Sequence, residues 1–292
     1  MAREGADRDV GPGRTPVLNN RFVALWAAPF ILVVLGFEVL PVLSVLAGSV
    51  VRGGEWSLGN YAALLGSRFY RGAFATSINI SLLTSAVGLG VGLPLSLTLH
   101  RRSGPVQRRF LTLFNVASNF VGVPLALAFT TLAGVNGVVT LLLVQSGLVQ
   151  DFNIYSLQGL ALVYAYFQVP FAVLVLFPSL DALTPGLAEQ ARLMGASRLT
   201  FWWRIGLPVL APSLIGSFIL LFANAMGTYA TAYALIGGGA NLVTIRIGEL
   251  VAGDVFTDPN LANALAVLLV LVLLIPILVD QFLLRRNRAP AA

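Results

Sequence analysis

The chain has 292 residues, 57% of them hydrophobic and 10% charged, less than half the roughly 25% charge of an ordinary soluble domain. Its net charge of +6 rests on arginine alone, because the 18 basic residues include no lysine, and the chain has no cysteine and one histidine, His100. These counts exclude a Walker phosphate loop, which ends in Gly-Lys-Ser/Thr. They also exclude disulfide and thiolate-metal chemistry, and any zinc centre other than carboxylates around one imidazole.

Residues 1–21 are rich in Gly, Pro, Asp and Arg and read as a disordered lead-in tail. From Phe22 to about Ala47 runs a first apolar span, too long for the core of a signal peptide, with Pro41 expected to kink its far end. The stretch "RGGEWSLGNYAALLGSRFY" then suits an interfacial segment, with Trp56, Tyr61, Phe69 and Tyr70 at headgroup level. A second span, Gly72 to Leu99, carries Ser77, Ser81, Ser85, Gly88 and Gly92 at three- or four-residue spacing, a small-residue face for close helix packing. After the basic turn "HRRSGPVQRR" a third span is expected over Phe110 to Ala133. Residues 134–156 fit an external loop, a short interfacial helix or a partial re-entry. The fourth span is expected over Leu157 to Leu180, the fifth over Leu207 to Ile236 and the sixth over Leu261 to Leu284, with "RRNRAPAA" as the tail. The predicted fold is all-α, a polytopic bundle of six spans in one domain over 22–284, with short tails at 1–21 and 285–292.

Charge placement orients this bundle. With the N-terminus cytoplasmic, fourteen arginines fall inside and four (Arg52, Arg68, Arg71 and Arg246) fall outside, a bias that obeys the positive-inside rule. Shifting the span count by one scrambles it. Both termini and the polar stretch between spans four and five are then cytoplasmic.

That stretch, residues 181–208, is punctuated like two short helices. Thr184 can cap the first, Pro185 suits its first position, Leu187, Ala191 and Met194 share a face, and Gly195 can end it in a left-handed conformation. Ser197 can cap a second helix, "RLTFWWRIG", whose aromatic residues belong at a membrane surface. The run Glu189-Gln190-Ala191, three residues, Gly195, nine residues, Ile205-x-Leu207-Pro208 resembles the EAA loop of the permease subunits of bacterial ABC importers, with Gln190 in place of the usual first alanine. The six-span layout and the loop's slot extend the resemblance over residues 20 to 285, and "FANAMGTYATAYALIGG" with "SNFVGVPLALAF" is most similar to the spermidine/putrescine-like group.

The resemblance implies a type I importer permease in the bacterial inner membrane, not itself an enzyme. It implies that the loop is a helix-turn-helix that docks on a cytoplasmic ATPase dimer, with Glu189 as the charged contact, Ala191 allowing close approach and Gly195 making the turn. ATP and Mg would be bound by that partner and no cofactor by this chain. A second permease, a paralogue in preference to a second copy, and an extracytoplasmic solute-binding protein complete the expected assembly. The missing lysine agrees, since a chain without a P-loop must borrow its ATPase. Polyamine is the first expectation for the solute. A self-sufficient secondary transporter or channel, needing no docking helix, is the competing class.

For the pathway, charges inside spans are costly and tend to be functional. Glu38 either meets a cationic solute or a gate, or sits solvated at the outer interface beyond the bend at Pro41. Asp280 is read as snorkelling to water near the terminal arginines. In the fifth span Ser213, Ser217, Asn224, Thr228 and Thr231 follow helical spacing, with Tyr229 beside them, and should face protein or a wet cavity. Asn115, Ser118, Asn119 and Gln168 are weaker candidates, and no residue set fits covalent catalysis.

Overall fold

The computed structural model describes residues 28–147, 152–253 and 257–287, with the backbone alone at 280 and 282–287. The expectations for residues 1–27, for the tail from Arg288 and for the Asp280 side chain lie outside the described residues. Chain contacts separate two compact units, Met1–Ala47 and Gly48–Ala292. The first unit holds most of helix α1 (Ala28–Ser49). Within α1, Leu35–Val39 form a π turn in which the Leu40 N–H reaches the Leu35 carbonyl. The cause stands just beyond it: Pro41 offers no N–H to Phe37 and its ring crowds that carbonyl, so the turn before it widens.

In the second unit the chain first makes a two-stranded hairpin, β1 (Val51–Arg52) and β2 (Glu55–Trp56). Gly53 and Gly54 turn it at φ +62° and +88°, the left-handed pair that a two-residue hairpin loop demands. The side-chain amide of Asn60 donates to the carbonyls of Ser49 and Val51 at 3.2 and 2.9 Å and fastens this hairpin to α2 (Gly59–Gly66). There follow α3 (Arg68–His100), α4 (Pro105–Asn119), α5 (Val123–Ala133), α6 (Val138–Gln145) and α7 (Leu157–Leu176). Then come α8 (Pro185–Leu193), α9 (Arg198–Gly227), α10 (Ala230–Ile236), α11 (Val243–Ala252) and α12 (Pro259–Asn287).

Among the described residues six helical runs are long and apolar enough to cross a membrane: Ala28–Ser49, Arg68–His100, Val123–Gln145, Leu157–Ala182, Arg198–Gly227 and Pro259–Val279. The third lies later than the expected Phe110–Ala133. Polar residues of α4 (Arg108, Arg109, Asn115, Asn119) dilute its hydropathy, and Gly122, at φ +81° before Pro124, breaks the helix between α4 and α5. The fifth begins earlier and ends earlier than expected. It is already helical from Arg198 and stops at Gly227, where Thr228 is extended (φ −73°, ψ 111°). Residues 230–236 of the expected span belong instead to α10, which with α11 makes a helix pair bent by 78°.

The packing of α3 is inverted relative to a protein in water. Ser77, Ser81, Thr84, Ser85, Gly88, Gly92 and Ser96 are buried, while Leu82, Leu83, Val87, Val91 and Leu95 point outward. Where the surrounding solvent is itself apolar, burying leucine gains little and close backbone approach through small residues drives association. The closest approach is to α7, the most extensive helix contact in the molecule. A Cβ on Gly92 would lie 2.6 Å from Ala172 Cβ, and one on Gly88 would lie 2.8 Å from Leu221 and 3.0 Å from Gln168 Cβ. The alanine methyl cannot swing aside. Gly90, on the opposite face, has nothing within 4 Å. Gly92→Leu is therefore expected to destabilise the bundle by about 1–3 kcal/mol or more, read as a lower thermal midpoint of the purified protein in detergent, while Gly90→Leu leaves that midpoint unchanged.

Candidate functional site: the hairpin and the polar seam

The polar stretch folds as two helices joined by a tight turn. Beyond α7 the chain tightens into a 3-10 turn (Phe177–Ala182) and re-enters helix at Pro185, the first residue of α8. The expected side-chain cap from Thr184 does not form. Its backbone carbonyl accepts from Leu187 N–H at 3.1 Å instead, and Pro185 has already removed one donor that a cap would satisfy. The other end of α8 closes as the sequence predicts. Gly195 is left-handed at φ +77°, its N–H reaches Arg192 O at 2.9 Å, and the Ala196 N–H reaches Ala191 O at 2.9 Å. Those two bonds satisfy carbonyls that the helix end would leave orphaned. Ser197 then caps the second helix, its Oγ accepting from Thr200 N–H at 3.2 Å.

This second helix does not stop at the membrane surface but continues into the fifth span as α9. One π turn, Trp202–Gly206, joins the two parts, with the Leu207 N–H bonded to Trp202 O. The reason repeats that in α1, for Pro208 withholds an N–H from Arg204. The indole of Trp202 lies on buried Gly206, where a Cβ would stand 2.7 Å from Cε3. At the start of the hairpin, His100 from the end of α3 meets Phe177 edge-on, with centroids 5.4 Å apart, and its Nε2 is 3.7 Å from Asp181. The end of α3, the end of α7 and the start of α9 thus surround the hairpin's base.

Of the motif residues, Ala191 turns inward while Glu189, Gln190 and Gly195 face outward, Ile205 and Leu207 are half-buried, and Pro208 is exposed. Among the described residues Glu189 makes no ion pair, although Arg192 stands three residues on along the same helix. Met194 does not join Leu187 and Ala191 on the inner face. It is the residue at which α8 uncoils, and it is 78% exposed beside Leu193 at 89%. With Leu199 and Trp203, also exposed, they make an apolar outer surface on a polar hairpin.

The polar seam runs through the bundle from α7. Gln168 is fully buried. Its Nε2 donates to Leu221 O at 2.7 Å and reaches Ser85 Oγ at 3.4 Å, while its Oε1 accepts from Asn224 at 3.5 Å. Three helices, α3, α7 and α9, are stitched by one amide. Further along, the Tyr164 hydroxyl donates to Thr228 O at 3.1 Å, where the break after α9 frees a carbonyl. The Gly122 N–H, freed at the other helix break, donates to Thr231 Oγ1 at 2.8 Å.

The expected pathway residues separate accordingly. Asn224 and Tyr229 are exposed and Thr228 is half-exposed, but Thr231 is fully buried and tied to Gly122. It does not line the same surface, because the helix that would have kept it in register ends at Gly227. Glu38 is exposed within the π turn of α1. The sequence reading missed a pocket of about 550 Å³ lined by Phe69, Tyr70 and Glu249, where Tyr229 and Tyr233 stack at 5.3 Å. Arg246 organises it. Its guanidinium bonds Asn241, Gly238 O, Ala240 O and Glu249, and lies 4.9 Å from the Phe69 ring centre. The signal in the sequence was the Arg246/Glu249 spacing on one helix face and the Tyr229/Tyr233 pair.

Six apolar spans, a core packed through small residues and a helical hairpin between spans four and five define a multi-pass membrane permease of the type I ABC importer fold. The chain belongs to the family of binding-protein-dependent transport system inner membrane components, whose model matches residues 88–288. It is 25% identical over 274 residues to the sn-glycerol-3-phosphate transport system permease protein UgpA of Agrobacterium fabrum, covering 88% of this chain and 92% of that one. It is also 25% identical over 274 residues to the spermidine/putrescine transport system permease protein PotB of Haemophilus influenzae, covering 90% and 93%. Other relatives are named for ferric, sulfate and molybdenum transport, and of the ferric permease FbpB of Actinobacillus pleuropneumoniae the chain spans only 39%. Among solved structures, a bacterial ABC transporter for import of the acidic polysaccharide alginate matches with a TM-score of 0.70 at 19% identity, over 92% of this chain and 97% of that one. The same transporter with an alginate pentasaccharide-bound periplasmic protein matches with a TM-score of 0.70 at 18% identity, over 94% and 98%.

Replacing Gln168 by Leu keeps the volume but removes the buried donor to Ser85 Oγ and Leu221 O and so strands the buried Ser85 hydroxyl. The expected cost is about 1–3 kcal/mol for unsatisfied buried groups, seen as a lowered thermal midpoint that Gln168→Glu at low pH partly restores.

Proposed function

We propose that this importer permease forms half of a translocation pathway and takes its power from a separate cytoplasmic ATPase dimer docked on the hairpin. The observation that carries the reading is mechanical: the hairpin's second helix and the fifth span are one helix, α9, so a push on residues 198–203 is delivered into the bundle without a flexible joint. The outward face of the hairpin offers Leu193, Met194, Leu199 and Trp203 to a partner, with Glu189 free to meet a basic group. Ala191, closed against its own chain, serves the fold of the hairpin, and exposed Gln190 stands where it can meet the partner directly. The chain is not an enzyme on this reading. ATP and Mg belong to the partner, and closure of that partner rocks the spans between outward and inward access.

A second permease, a paralogue in preference to a second copy, supplies the other half of the pathway, and a solute-binding protein delivers from outside, a reading supported by the alginate ABC transporter found in complex with a pentasaccharide-bound periplasmic protein. The arginine bias supports an inner-membrane orientation with both termini and the hairpin cytoplasmic. Asn224, Thr228 and Tyr229 stand on the accessible side of the polar seam and are the proposed pathway residues of this chain. Glu38 is retained as a candidate contact for a cationic solute. Polyamine is the first solute to test, on the similarity to PotB, with glycerol phosphate, ferric iron and oxyanions as the comparison panel.

Glu189→Arg is expected to cut ATP-driven uptake by about tenfold or more, since like charges across an interface are strongly unfavourable, while membrane insertion and the amount of permease stay unchanged. Normal uptake by this variant, measured in vesicles of matched permease content, rules out the role given to Glu189. A tag inserted at Gly195 that is reached only from the periplasm overturns the orientation and with it the docking.

A further inference from the structure

Between the turn of the hairpin and the end of α3, three arginines from three elements converge on one cleft of about 120 Å³: Arg101 just past α3, Arg192 on α8 and Arg198 at the start of α9, with Ser197 and Ala196 between them. None has an ion-pair partner among the described residues. The two acidic side chains nearby are otherwise placed, for Asp181 faces His100 at 3.7 Å and Glu189 points outward. All three are exposed at the rim of the cleft, so water screens their mutual repulsion, and an anion seated between them meets three positive groups at once. Planar guanidinium groups suit phosphate oxygens in particular.

The surroundings say what carries that phosphate. The cleft shares Arg101, Ala188, Phe201 and Trp202 with an adjoining groove of about 440 Å³, whose further lining includes Leu97, Leu180 and Leu183. A small arginine-lined chamber joined to a larger, mainly apolar one has the shape of a headgroup site continued by glycerol and acyl carbons. Phe201 and Trp202 mark it as lying at headgroup level. We propose that this cleft binds the phosphate of an anionic phospholipid of the inner leaflet, and that the lipid ties the hairpin's two helices to the end of α3. The inference rests on the cytoplasmic placement of the hairpin proposed above. Bound there, the lipid stiffens the base on which the ATPase pushes, so coupling would depend on membrane charge.

The test uses the importer purified with its co-eluting subunits and placed in nanodiscs of phosphatidylcholine with a minor fraction of phosphatidylglycerol. Native mass spectrometry counts the phosphatidylglycerol retained, with the triple variant Arg101→Gln/Arg192→Gln/Arg198→Gln beside the wild type. Single variants of each arginine cover the case in which the triple variant fails to assemble. The expected result is selective retention of phosphatidylglycerol by the wild type and roughly hundredfold weaker retention by the triple variant, at about 1 kcal/mol per arginine near a membrane surface. Equal retention by wild type and variants overturns the proposal. So does displacement of the lipid by millimolar inorganic phosphate, which would make the cleft a soluble-anion site, and so does retention seen only after the ATPase is stripped off, which would assign the arginines to the docking interface. Because lipid retention is read without transport, a failed docking reading and a failed lipid site give different results.

Discussion

The close approach of α3 to α7 is the contact on which the rest of the bundle depends. Glycines at 88 and 92 let the two backbones come together, and only at that separation does Gln168 reach both Ser85 and the Leu221 carbonyl. In lipid there is no water to satisfy a misplaced amide, so a fully bonded glutamine acts as a register mark for three helices at once. The same seam continues to the two helix breaks, where Tyr164 and Thr244 donate to Thr228 O and Thr231 accepts from the Gly122 N–H. Broken helices within a membrane protein persist where neighbours take over the freed backbone groups, and here side chains do so on both sides.

On the proposed docking, the same frame lets the hairpin act as a lever. The first helix is held at its far end by two backbone bonds around Gly195 and at its near end by the 3-10 turn against His100. The second helix is fused to the span. A rigid knob on a rigid rod moves as one body, whereas a hairpin on a flexible loop would absorb the displacement. The exposed apolar residues at its tip are costly in water, and a partner that covers them accounts for their presence on a surface otherwise chosen for charge.

Much of this was legible in the sequence, for definite reasons. Span number followed from runs of apolar residues. The buried stripe of α3 followed from serine and glycine spacing, because helix geometry converts spacing directly into a face. The turn at Gly195 and the cap at Ser197 are local, set by residues within one turn of each other. What escaped notice was non-local or depended on a break. The fifth-span stripe was projected through Thr228 as if the helix continued, which turned Thr231 the wrong way. Thr228 stays on the accessible side, and Thr231, three residues on, is out of register with it. The third span was drawn through Gly122 and Pro124, although that pair interrupts helices by simple sterics. The Gly53-Gly54 hairpin was passed over because two short strands in an otherwise helical chain carry almost no periodicity. The Arg246 network joins residues from Phe69 to Glu249, a distance along the chain at which sequence spacing says nothing.

The widened turn at Trp202–Gly206 has a geometric effect beyond sparing Pro208. A single residue added to a helix rotates everything before it by about 100° relative to everything after it. The azimuth of the knob about the rod is therefore fixed in discrete clicks, and this chain has taken one. The turn thus sets the direction in which the tip points about the axis of the fifth span, and on the proposed docking it decides from which side of the core a push arrives.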